Sequence, residues 1–186
     1  MQTHDLINAI LDDLSRTLHQ VDANQIDALQ AAIINAQHIY VAGKGRTGLL
    51  MKAFAMRLMH LGLTVHVVDD VTTPGIKAGD LLIIGSGSGR TASLVSYAEK
   101  VQTTGASLAT ITGNQGSPIA ALAQHVVIIP ASNFKSGNQP TTESVLLMGS
   151  LFEHTLGLLC DLITIQLKAT LNQSEGEMNA RHANLE

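Results

Sequence analysis

The chain has 186 residues, 45% of them hydrophobic and 14% charged, which suits one globular domain with a sizeable core. A net charge of −4, with no Trp, two Tyr and three Phe, speaks against a basic groove with stacking aromatics, so nucleic acid is not an expected partner. The lone Cys160 excludes an internal disulfide, and the polar start MQTHD lacks a secretory signal's basic flank and apolar stretch, so the expected location is the cytoplasm.

Leu6, Ile7, Ile10, Leu11, Leu14 and Leu18 recur at helical spacing, and Ile26, Leu29, Ile33 and Ala36 repeat the pattern, predicting two helices within residues 1–37. Asp22 with Gln25 three residues later resembles a capping box and predicts the start of the second helix. From residue 38 the chain changes to short β-branched runs: IYVAG, TVHVV, LLIIG, LATIT and VVIIP, ending near residues 43, 68, 85, 112 and 130. Helical stretches at 46–61, 91–104 and 117–123 separate most of them. That alternation predicts an α/β fold, a five-stranded parallel sheet over 38–130 flanked by helices. The crossover 69–79, with Pro74 and Gly75, has room for a short helix at most.

After Pro130 the polar stretch ASNFKSGNQPTT is a candidate mobile loop, and a helix is predicted over 142–171. Its part 144–165 is apolar enough to resemble a membrane span, but it carries Glu153, His154 and Asp161 and reads as a buried core or interface helix. Leu146, Leu147, Leu151, Phe152, Leu158, Leu159 and Leu162 are spread over more than one face, which predicts contact with another subunit. One domain over 1–186 is expected, with 142–186 supplying the interface helix and a closing segment.

Two glycine-rich loops, GKGRTG at 43–48 and GSGSGRT at 85–91, follow the first and third strands and open helices. Such loops lift side chains away and aim backbone N–H groups at one point. In a flavodoxin-like order 2-1-3-4-5 those strands are neighbours whose helices leave toward opposite faces, so both loops border one crevice. Ser86, Ser88 and Thr91 add hydroxyls suited to a phosphate monoester. Gly43, Gly45 and Gly48 equally satisfy GxGxxG, and Asp69 and Asp70 follow where a dinucleotide site needs an acid. Pattern alone leaves three readings open: a sugar-phosphate pocket, a dinucleotide site, or glycines serving tight turns. The first is favoured by the hydroxyls and by the lack of room for a second catalytic domain.

The succession AGKGRTG, AMRLMHLG at 55–62, TPGIKAGDLLIIGSGSGRT at 73–91, IPA at 129–131, LFE at 151–153 and RHANLE at 181–186 resembles the sugar isomerase (SIS) domain family. Within it, the chain is similar to the 6-phospho-3-hexuloisomerases. The resemblance implies a flavodoxin-like sandwich and cofactor-free interconversion of 3-hexulose 6-phosphate and fructose 6-phosphate in the ribulose monophosphate route. It also implies a homotetramer and a functional link to 3-hexulose-6-phosphate synthase. Other phosphosugar isomerases of the family, or a noncatalytic sugar-phosphate-binding module, remain the alternatives.

Carried onto this sequence, the resemblance assigns phosphate binding to Ser86, Gly87, Ser88, Gly89 and Thr91, with Thr47 approaching from the first loop, and Gly45 and Arg46 beside it are further candidates for the site. Arg90 stands where the family commonly has Glu, and Thr47 where it often has Ser. Arg46 is favoured as a ligand-facing cation and Lys44 as a solvated one. Moving a carbonyl between carbons 3 and 2 needs a base that removes and returns a carbon-bound proton through an enediolate. Glu153 is the candidate, with Gly149, Ser150, Leu156 and Gly157 giving it a mostly apolar or small surface. His182, by the resemblance, assists proton movement between the substrate oxygens and reaches a neighbouring subunit's pocket. The eight histidines lack paired ligand spacing, so no metal is expected, and Cys160 reads as core packing.

Overall fold

Five parallel strands, β1 (Ile39–Ala42), β2 (Val65–Val67), β3 (Leu81–Gly85), β4 (Ser107–Thr112) and β5 (His125–Ile128), form one sheet in the order β2-β1-β3-β4-β5. The structure, a computed structural model, describes residues 1–131 and 144–185. The helices are α1 (Thr3–His19), α2 (Ala23–Asn35), α3 (Gly45–His60), α4 (Ala92–Val101), α5 (Pro118–Leu122), α6 (Ser150–Thr170) and α7 (Glu175–Ala180). The strand positions agree with the expectation from the β-branched runs, and the order is the flavodoxin-like one on which the shared crevice depended.

Alternation along the strands divides the core into two layers. Val41, Ile83, Ile111 and Val127 face α2, α3 and α6, where they meet Leu29, Ile33, Phe54, Leu58, Phe152 and Leu156. Tyr40, Ala42, Leu82, Ile84 and Leu108 face the opposite way, toward Leu94 and Ala98 of α4 and Ile119 of α5. Phe54 and Phe152 are each 1% exposed, so truncating either to Ala would cost on the order of 3–5 kcal/mol. Cys160 lies buried in the first layer, and burial pushes its thiol up, away from the thiolate that nucleophilic chemistry needs.

Local signals hold with three differences. Asp22 does cap α2, accepting from Asn24 N at 2.9 Å, but Gln25 does not complete a box. Its side-chain oxygen accepts from Ile128 N at 2.8 Å and ties α2 to β5 instead. The helix expected over 142–171 begins only at Ser150. Residues 144–149 are drawn off the helical path because the Ser144 hydroxyl and Val145 N–H donate to the Asp13 carboxylate at 2.7 and 3.0 Å, and Met148 takes a left-handed φ of 57°. The short α7, not among the expected helices, follows a Ser174–Glu177 capping box. Crossover 69–79 contains no helix. The candidate mobile loop lies, from residue 132 onward, outside the described residues. Among the described residues, no helix is long and apolar enough to cross a membrane.

Candidate active site

β1 and β3 are adjacent at the point where the sheet order reverses, so the two glycine loops leave their strands side by side. In the first loop, a Cβ on Gly43 would sit 2.9 Å from Gly48 Cα, a backbone approach only glycine permits. This tight turn delivers Gly45, Arg46 and Thr47 to the opening of α3. In the second loop, Gly89 has φ of 61°, and a Cβ there would fall 2.1 Å from Ser117 Oγ, so it presses the turn against the start of α5.

Between the loops lies a cleft of about 510 Å3, large enough for a sugar phosphate. Gly45, Arg46, Thr47, Ser86, Gly87, Ser88, Thr91 and Glu153 all line it. Three helices begin at its wall: α3 after Lys44, α4 after Thr91 and α6 after Gly149. None of these three N-cap residues makes a side-chain cap hydrogen bond. By contrast, α2, α5 and α7, which start elsewhere, are capped by Asp22, Ser117 and Ser174. A helix start without a side-chain cap leaves first-turn N–H groups and the positive end of its dipole available to an anion.

The serine hydroxyls border the same cleft. Ser86 Oγ accepts from Gly89 N at 3.1 Å and Ser88 Oγ from Arg90 N at 3.3 Å. Each hydroxyl thereby spends an acceptor on the loop and keeps its hydrogen to donate. Arg90 itself is exposed and does not line the cleft, nor does Gly89, whose part is the turn.

Glu153, in the first turn of α6, points into the cleft with its side chain 18% exposed. Its surroundings are less apolar than expected: Arg46 Nε lies 3.2 Å from the carboxylate, and Arg46 Nη1 donates to Ser150 Oγ at 3.2 Å. Arg46 thus bridges the starts of α3 and α6. The far wall comes from Leu147, Met148 and Gly149, which lie ahead of α6 and not inside the helix expected over 142–171.

His182 is at the other end of α3. Its ring stacks on His60 at 5.3 Å and 19°, beside a cavity of about 170 Å3 with Arg57, Glu175, Met178 and Asn179. Arg181 fastens this segment by donating to His60 O at 2.9 Å. Burial, then the Arg57 and His182 charges, hold the His60 imidazole below its ordinary proton affinity. The 16 residues of α3 separate this pair from Gly45 by roughly 22 Å, at about 1.5 Å per residue, so His182 is remote from the cleft of its own chain.

The dinucleotide pattern finds no support in the acids after β2. Asp69 is taken by Lys44 Nζ at 2.5 Å and the Tyr97 hydroxyl at 2.6 Å, and Asp70 lies 3.6 Å from Lys52 Nζ. Among the described residues, no group of three or more His, Cys, Asp or Glu could hold a metal ion.

A parallel sheet whose crevice gathers helix starts, serine hydroxyls and a carboxylate defines a phosphosugar-type SIS architecture, and the SIS domain model matches residues 32–156. The chain belongs to that family. It is 42% identical to a 3-hexulose-6-phosphate isomerase of Mycobacterium gastri over 97% of this chain and 89% of that one. A Bacillus subtilis 3-hexulose-6-phosphate isomerase is 37% identical over the whole of both chains. A crystal structure from Methanococcus jannaschii, reported as inferring a 3-hexulose-6-phosphate isomerase function, superposes with a TM-score of 0.81. It is 33% identical, with 95% of this chain and 98% of that one covered.

Proposed function

We propose that this protein is a 6-phospho-3-hexuloisomerase that interconverts D-arabino-3-hexulose 6-phosphate and D-fructose 6-phosphate. The observation that carries the reading is the convergence of three helix starts without side-chain caps on a cleft that also holds Ser86, Ser88, Thr91 and Glu153. Full-length relatives named as that isomerase support the choice of sugar.

The phosphate sits among the hydroxyls and the amides of the two loops, leaving carbons 2 and 3 toward Glu153. Glu153 takes the proton from carbon 2, and the released electron pair forms the carbon 2–carbon 3 double bond as negative charge moves to oxygen 3. The hydroxyl proton on oxygen 2 passes to oxygen 3. Glu153 then returns its proton to carbon 3, and the carbonyl is left at carbon 2. Arg46, beside the carboxylate, orients it and faces the charge of the enediolate. His182 of a neighbouring subunit carries the proton between the oxygens.

That last role requires assembly, and a homotetramer is the state proposed. The physiological setting is the ribulose monophosphate route in the cytoplasm, with 3-hexulose-6-phosphate synthase supplying or consuming the 3-hexulose. Incubating the purified protein with 3-hexulose 6-phosphate and detecting fructose 6-phosphate through a coupled dehydrogenase tests the reading. Turnover is expected, with Glu153→Gln slower by about 100-fold or more. Absence of product, or a Glu153→Gln variant at the parent rate, contradicts it.

A further inference from the structure

Lys44 lines two cavities. One is the cleft, and the other is a smaller space of about 230 Å3 behind the first glycine loop, between the ends of β1 and β2. Its ammonium is held on the far side of that ridge. Nζ lies 2.5 Å from Asp69 Oδ2 and 5.6 Å from the centre of the Tyr97 ring. The Tyr97 hydroxyl donates to the second oxygen, Oδ1, at 2.6 Å.

Asp69 adopts φ of 81°, a conformation that residues with side chains rarely take. Each partner reinforces the other. The hydrogen bond to Asp69 holds the Lys44 ammonium above its ordinary range, and Lys44, then Tyr97, hold the Asp69 carboxyl below its own. The other cation lining the cleft, Arg46, is engaged by Glu153. Both cations of the first glycine loop therefore face carboxylates, and a phosphate entering the cleft meets hydroxyls and amides instead.

We propose that Asp69, braced by Tyr97, sets phosphate affinity by holding the Lys44 ammonium away from the cleft. The inference rests on reading the cleft as a phosphosugar site. A lysine has a flexible stem, and an ammonium–phosphate contact is stronger than one from a neutral donor. The phosphate is common to both isomers, so gripping it harder binds ground state and transition state alike and delays release without lowering the barrier. Drawing the Lys44 ammonium aside keeps release of either isomer fast.

The test uses the full-length protein and inorganic phosphate as a competitive inhibitor of fructose 6-phosphate turnover. Asp69→Asn removes the charge while keeping a side chain that tolerates the left-handed backbone. The inhibition constant and the KM are expected to fall together by about fivefold. Adding Lys44→Met to Asp69→Asn should return both to the parent values, and Tyr97→Phe should shift them the same way by less. An unchanged or raised inhibition constant in Asp69→Asn, or a gain that survives in the double variant, overturns the proposal. Ser86→Ala separates this failure from that of the underlying reading. If the parent is not inhibited by phosphate, or its inhibition is indifferent to Ser86, the phosphosugar site itself fails and the role of Asp69 goes with it.

Discussion

Ser86 is tied into its loop, and in the proposed reading it also donates to the phosphate. Its backbone N–H donates to Ile111 O at 3.0 Å, its Oγ receives Gly89 N–H, and the residue is 4% exposed, so the hydroxyl oxygen is held in place. Ser86→Ala should raise the KM for fructose 6-phosphate by about tenfold, the equivalent of one lost hydrogen bond of about 1.4 kcal/mol. The fold should persist, because Gly89 N–H also reaches Ser86 O at 3.1 Å. Steady-state kinetics with a thermal melt checks both points, and an unchanged KM would remove Ser86 from the phosphate site. The residue chemistry was legible where a hydroxyl recurs in a glycine loop. The Arg46–Glu153 pair was not, since it joins side chains more than a hundred positions apart across two helix starts.

At the scale of elements, α6 matters through where it begins. Asp13, 6% exposed on α1, anchors Ser144 and Val145 and so turns Leu147, Met148 and Gly149 into a cleft wall. Burial alone would raise the Asp13 pKa, but hydrogen bonds from Ser144 and Val145, with the Arg16 charge, hold it below its ordinary 3.8. A carboxylate with a depressed folded value stabilises the fold above about 3.8, and that contribution fades as pH falls through the folded value. Asp13→Ala should therefore cost about 1–2 kcal/mol at pH 7, by removing the two part-buried hydrogen bonds to Ser144 and Val145, and raise KM by loosening the wall. Melts from pH 7 to pH 3 should show the parent converging on the variant at the acid end; equal stability at pH 7 would contradict the anchor.

The strands were readable because β-branched runs and the glycines after them carry their own local signal. The true start of α6 was not, because the groups that divert it lie on α1, about 130 positions away. The start of α7 was legible in principle, since Ser174 and Glu177 stand at capping-box spacing.

For the whole molecule, the separation of Glu153 from His182 is the decisive relation. The outer face of α6 leaves Leu158, Leu162 and Ile165 at 44%, 38% and 69% exposure, a stripe at helical spacing, and α3 adds Leu49 at 67% and Met56 at 46%. We propose that a second subunit covers such faces and supplies the His182 that the first subunit's own chain keeps remote from its cleft. The direct measurement mixes two variants, Glu153→Gln and His182→Ala, each expected to be nearly inactive alone, under conditions that exchange subunits, with hybrids counted by native mass spectrometry. In a hybrid pair, one cleft combines an intact Glu153 with an intact His182, so random mixing should recover about a quarter of the parent activity. Hybrids that form and remain as inactive as their parents would contradict a catalytic centre shared between subunits.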